Sequence, residues 1–134
     1  IYVFGGRNHA VCDGYGMTLT ERYSIENDTW EGLPEMSDDR YGHCAVSSVD
    51  ANDIFIFGGD CVDSTIAFDT KLLQWKTGLD LANIPEMRCN AAAVLLKDRY
   101  VAVIGGDDEN ANSSAGFVMY DTSLNHWTST PASM

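Results

Sequence analysis

Three short apolar segments, each closed by a pair of glycines, recur along the chain: IYVFGG at 1–6, IFIFGG at 54–59 and VAVIGG at 101–106. Gly5 and Gly58 lie 53 residues apart, and Gly58 and Gly105 lie 47 apart. A period of about 50 residues marks a repeat architecture, and the spread around it means that loop length varies between units. A second register is tighter. Each tryptophan has an aromatic residue seven positions before it: Tyr23 before Trp30, Phe68 before Trp75 and Tyr120 before Trp127. Variation in length therefore falls outside that pair. A third mark follows each tryptophan, where PEM at Pro34, PEM at Pro85 and PASM at Pro131 lead into the next unit. After the first two come an arginine, Arg40 or Arg88, and then an alternating or apolar stretch, 43–49 or 91–96.

One unit reads as a four-stranded meander. Its strands are the segment after the arginine, the segment ending in the glycine pair, an aromatic strand (TERYSI, TIAFDT, GFVMYDT) and the tryptophan strand. The unbroken apolar character of the second strand predicts burial on both faces, as for an inner strand packed between neighbouring sheets. The pairs Gly5-Gly6, Gly58-Gly59 and Gly105-Gly106 supply positive φ or a close backbone approach where that strand ends. Asp69-Thr70-Lys71 and Asp121-Thr122-Ser123 are turns in which Asp and Thr bond their own backbone. The aromatic and tryptophan strands then lie side by side, so their rings pack across the pair and against the next sheet. Tyr23, Phe68, Tyr120, Trp30, Trp75 and Trp127 are structural marks first.

An apolar strand with Gly-Gly, an aromatic seven before Trp, then Pro, Met and Arg-x-Gly-His-x-Ala resembles the Kelch repeat. Arg40-Tyr41-Gly42-His43-Cys44-Ala45 carries every element of the last segment, whereas Arg88-Cys89-Asn90-Ala91 lacks the glycine and histidine. The resemblance implies an all-β fold, a fragment of a Kelch-type β-propeller of about three four-stranded antiparallel blades. Its units are a partial repeat at 1–32 without an opening strand, repeats at 33–78 and 79–130, and the start of another at 131–134. A propeller closes with four to eight blades, so further blades in a parent chain are expected.

Composition bounds the partners. The chain has 134 residues and 20 acidic against 8 basic side chains. Such a field repels phosphate backbones and anionic lipid, so neither nucleic acid nor a membrane is an expected partner. No stretch approaches the roughly 20 apolar residues of a membrane span, and the chain reads as soluble. Cys12, Cys44, Cys61 and Cys89 are widely spaced with no C-x-x-C pair, which signals neither zinc nor a redox motif. Reduced thiols in a cytoplasmic protein are the simplest account, with one or two disulfides left open. Asn27-Asp28-Thr29 and Asn112-Ser113-Ser114 fit the glycosylation sequon, which matters only in a secreted protein.

Function has to come from sites, because propellers host binding modules and enzymes alike. The Kelch resemblance implies a protein or peptide partner held by the loops from second to third strand (7–18, 60–64, 107–115) and by the connections between blades (33–42, 79–90). Arg7, Arg40 and Arg88 fall on or beside these loops, and in Kelch proteins resembling ubiquitin-ligase adaptors such arginines grip acidic motifs. The competing reading is that a recurrent arginine ties loop carbonyls or a nearby Asp, and that Arg7 is a solvated loop residue. Asp60 and Asp107, which stand where Arg7 does, weaken an all-acidic-ligand site.

Neither a catalytic group nor a cofactor is expected. Glu35, Asp39 and His43 match an iron-binding spacing of plant Kelch proteins resembling specifier proteins, but in the wrong part of the repeat. His9, His43 and His126 fall on unrelated parts of the unit and do not suggest a copper centre. The run Asp107-Asp108-Glu109-Asn110 offers oxygen ligands but lacks the glycine and bidentate glutamate of a 12-residue calcium loop. No phosphate-cradling or nucleophile-turn motif occurs. The expectation is a protein-interaction or scaffold module that is not an enzyme. The alternative is a fragment of a carbohydrate-active or metal-dependent propeller enzyme whose catalytic groups lie on other blades.

Overall fold

The computed structural model describes residues 1–8, 16–60 and 62–129. His9, Cys12, Cys61, Pro131 and the short unit at 131–134 lie outside the described residues. Regular structure among the described residues is entirely β. Strands β1 (Tyr2–Phe4), β2 (Thr20–Ser24) and β3 (Thr29–Leu33) form the first sheet. The second contains β4 (Cys44–Ser47), β5 (Asp53–Phe57), β6 (Thr65–Asp69) and β7 (Gln74–Trp75), and the third β8 (Ala92–Leu96), β9 (Tyr100–Ile104), β10 (Phe117–Asp121) and β11 (His126–Ser129). Each sheet is an antiparallel meander in chain order, the blade topology of a propeller. β4 and β8, the opening strands of the second and third blades, approach each other.

The aromatic spacing of seven becomes a direct cross-strand pair. Tyr23 faces Trp30, Phe68 faces Trp75 and Tyr120 faces Trp127. Ring centroids in the three pairs lie 5.1, 5.0 and 5.0 Å apart. The turn between these strands is held as its sequence predicts. The Asp69 carboxylate accepts the amides of Lys71 and Leu72 at 2.9 and 2.8 Å, and Asp121 accepts those of Ser123 and Leu124 at 3.0 and 3.1 Å. Arg99 grips the Asp121 carboxylate through two hydrogen bonds, which hold it below the usual carboxylate range.

Blades stack through these rings, in the direction opposite to the one expected. Trp75 packs on Phe4 of the preceding blade (5.5 Å) and Trp127 on Phe57 of its preceding blade (5.4 Å). The stacking order of the blades sets this direction. Phe55 and Phe57 share the face of β5 turned towards the third blade, where they meet Tyr120 at 6.1 and 5.5 Å. Val101, Val103, Val118 and Ile84 complete the core between the second and third blades. Cys44 belongs to it, and burial pushes its thiol up to about 11, so it is inert at neutral pH. Each indole N–H then caps the segment leading into its own blade: Trp75 donates to the Pro34 carbonyl and Trp127 to that of Ala82, both at 2.8 Å.

The expectation that the glycine-pair strands are covered on both faces holds for β5 and for the middle of β9, where the consecutive residues Val101, Ala102 and Val103 are buried, but not for β1 or the end of β9. Val3 in β1 is 40% exposed and Ile104 in β9 is 41% exposed. Both lie in sheets that have a described neighbour on one side only. The unbroken apolar run is the signature of an inner blade strand, and coverage depends on what stands next to it.

Candidate functional site

The described parts of the connections from second to third strand and of those between blades converge on one end of the blades, and the glycine pairs stand at its base. Gly5 and Gly58 adopt φ of +55° and +60°. A Cβ on Gly58 would sit 2.9 Å from the Arg88 carbonyl oxygen of the following blade, and one on Gly5 would meet the Arg40 carbonyl. The second glycine of each pair completes the contact. Gly6 donates its amide to the Arg40 carbonyl at 2.8 Å, and Gly59 donates to that of Arg88 at 3.2 Å. The glycine pair is thus a backbone clasp between successive blades, which any side chain at its first position would block.

The arginine on the other side of each clasp turns its side chain into its own blade. Arg40 has no exposed surface. Its Nη1 donates to the carbonyls of Gly58 and Ser64, each at 2.9 Å, and its Nη2 to the Ser64 hydroxyl. Arg88, also buried, repeats the arrangement. Its Nη1 donates to Gly105 O (2.8 Å), Ser114 Oγ (2.8 Å) and Gly116 O (3.3 Å), and its Nη2 to Glu86 (3.2 Å). Burial lowers the Arg40 pKa while Asp38 and Asp63 oppose the shift, and a guanidinium remains charged in that setting. Desolvation is offset here by bonds to carbonyl dipoles more than by the Asp38 carboxylate, which is largely exposed and 3.8 Å away.

Arg7 is placed differently. Its side chain is exposed, and its guanidinium lies 4.7 Å from the centroid of the Tyr41 ring, within cation–π range. The Tyr41 hydroxyl donates to Asp60, and that bond, with burial and the Asp60 charge, raises its pKa. Arg7, Tyr41 and Asp60 therefore form a chain across the junction of the first and second blades. The sequence marked Arg7 and Asp60 but not Tyr41, which has no counterpart in the second repeat, where Cys89 follows Arg88.

The departures in the second arginine segment have a local explanation. Gly42 has φ of +64°, and Asn90, at the matching position, has φ of +59°. Asn is among the residues that tolerate this region, so the turn survives loss of the glycine. His43 packs beneath Gly59 where Ala91 packs beneath Gly106. Burial and the neighbouring Arg40 lower the His43 pKa, which keeps the imidazole neutral. Glu35 accepts a hydrogen bond from Thr18. Asp108 accepts the amides of Asn110 and Asn112 at 2.9 and 2.8 Å. Among the described residues no group of three His, Cys, Asp or Glu is placed to hold a metal ion.

Between the second and third blades the loop end opens into a cleft of about 500 Å3, where Asp63, Glu86, Asp108 and Glu109 surround Ile84 and Met87. No helix in the described residues is long and apolar enough to cross a membrane. No curated protein matches the chain. A family model described as the KLHDC2/KLHL20/DRC7 Kelch-repeats domain matches residues 1–134. With the glycine pairs, the aromatic–tryptophan register and the repeat arginines in blade topology, the match settles the family: the chain belongs to the Kelch-repeat proteins.

Proposed function

We propose that the loop end of these blades is the partner-binding face of a protein-interaction module. Kelch domains generally mediate protein–protein interaction. The observation that carries the reading here is the pair of buried arginines. They fix irregular loops on rigid blades, which gives a loop surface a defined shape without secondary structure of its own. Arg7 is the basic side chain displayed on that face, with one side of its guanidinium on Tyr41 and its donors free to meet a carboxylate or carbonyl of the partner. Arg40 and Arg88 contribute through the loops they hold. The ubiquitin-ligase adaptor role implied by the Kelch resemblance is the specific form of this reading: the protein held at the loops is the one to be tagged.

The test uses the intact parent protein and its affinity-captured, stoichiometric partner. Arg7→Glu weakens capture by about tenfold or more, as expected when a central interface residue is reversed in charge. Lys71→Glu, on the β6–β7 turn at the far end of the blade, leaves it within about twofold. The opposite ranking would move the binding face away from the loops.

A further inference from the structure

Arg40 and Arg88 do more than fill space. Arg40 bonds both feet of the loop joining β5 to β6, the carbonyls of Gly58 and Ser64. Between the same feet the Gly58 amide donates to Ser64 O at 3.3 Å. Arg88 bonds both feet of the loop joining β9 to β10, the carbonyls of Gly105 and Gly116, and there the Gly105 amide donates to Gly116 O at 3.0 Å. In each blade a serine hydroxyl of the loop, Ser64 or Ser114, also accepts from the guanidinium, and Arg88 adds Glu86. The two loops differ in length, 59–63 against 106–115, yet their feet are held alike. One guanidinium nitrogen, Nη1, reaches both carbonyls while Nη2 holds a further oxygen, the Ser64 hydroxyl or the Glu86 carboxylate, an arrangement of two nitrogens that a single ammonium cannot reproduce with the same geometry. The staple thus separates the structural part of each loop from its tip.

Resting on the loop-face reading above, we infer that Arg40 and Arg88 are positioning residues and that the tips beyond their staples, at Asp60, Val62 and Asp63 and at 108–112, are the specificity-determining segments, matched to a peptide segment carrying lysine or arginine. Three observations converge on that chemistry. The tips hold Asp60, Asp63, Asp108 and Glu109 and no basic residue. Asp63, Asp108 and Glu109 line the cleft between the second and third blades together with Ile84 and Met87, an apolar floor beneath a carboxylate rim. The guanidinium groups of Arg40 and Arg88 are turned inward onto the loop feet, with one Arg88 donor on Glu86, so neither is presented to the cleft as a free cation. A basic side chain with an aliphatic stem fits such a cleft, the stem against the floor and the charge at the rim.

The probe is a random dodecapeptide phage library, selected on the full chain in its parent protein. The expected consensus carries lysine or arginine. Replacing residues 108–112 by Gly-Ser-Gly weakens the selected peptide about tenfold or more while the Gly105 amide keeps its hydrogen-exchange rate within about threefold, because the feet are held without the tip. Arg88→Lys keeps the charge but speeds exchange at Gly105 about tenfold and weakens the peptide with an unchanged salt dependence. Where that variant does not fold, Ser114→Ala shows the smaller form of both effects. Loss of foot protection on tip replacement would overturn the staple. An acidic or uncharged consensus, or Arg88→Lys binding as the parent does, would overturn the assigned chemistry or role. A peptide indifferent to the tip yet lost on Arg7→Glu would overturn this inference alone, and one indifferent to both would remove the loop-face reading beneath it.

Discussion

Replacing the three repeat tryptophans by alanine destabilises the chain unequally, although all three occupy one position of the repeat. Trp127→Ala lowers the unfolding free energy by about 3–5 kcal/mol, the range for deleting a buried large aromatic. Its ring is 7% exposed, faces Tyr120 at 5.0 Å and Phe57 at 5.4 Å, and spends its N–H on Ala82. Trp75, half-buried with the matching contacts to Phe68, Phe4 and Pro34, falls near the lower end of that range. Trp30 is 58% exposed and meets Tyr23 alone among the ring contacts, so its loss costs roughly 1 kcal/mol or less. Urea titration of the three variants checks the order. Equal effects would mean that stability resides within each blade, not in the seating of one blade on the preceding one.

Arg40→Ala is expected to destabilise by about 3–5 kcal/mol, as large as the loss of a core aromatic. The cause is the enclosed carbonyls of Gly58 and Ser64, which lose their side-chain donor in a place water does not reach freely. Asp38→Ala is the control. It removes the carboxylate that pairs with Arg40, largely exposed and 3.8 Å away, and shifts stability by no more than about 0.5 kcal/mol. A denaturation curve in which Asp38→Ala approached Arg40→Ala would show that the arginine is held by charge pairing instead of by the loop carbonyls.

The blades themselves were legible because their marks are side chains, or missing side chains, at fixed spacing. Gly58-Gly59, Phe68 and Trp75 each report one strand end or one cross-strand pair, and the six residues between Phe68 and Trp75 leave room for little except a tight turn between paired strands. The direction in which Trp75 seats was not legible. Alternation along β5 says that Phe55 and Phe57 share a face, but only the stacking order says which neighbour that face meets. Val3 and Ile104 show the same limit, since a run of apolar residues records the strand's type and not whether a sheet covers it here.

The loop end was readable in part. Arg40 and Arg88 stood out by recurrence, and the reading in which such an arginine ties loop carbonyls describes the bonds they make. The receiving atoms, carbonyls of Gly58, Ser64, Gly105 and Gly116, belong to the backbone and leave no sequence signature. Asn90 was a visible break in the motif whose harmlessness depends on its positive φ. Tyr41 was missed because an aromatic in a loop has no periodic partner to point to it; its meaning comes from Arg7, which reaches it from another blade.

The most direct measurement is hydrogen exchange on the intact protein with and without a captured partner. The account predicts that protection on binding concentrates at 58–64, 105–116 and the connections 33–42 and 79–90, with the β6–β7 and β10–β11 turns unchanged. Protection confined to those turns, or to the outer strands β3, β7 and β11, would contradict it.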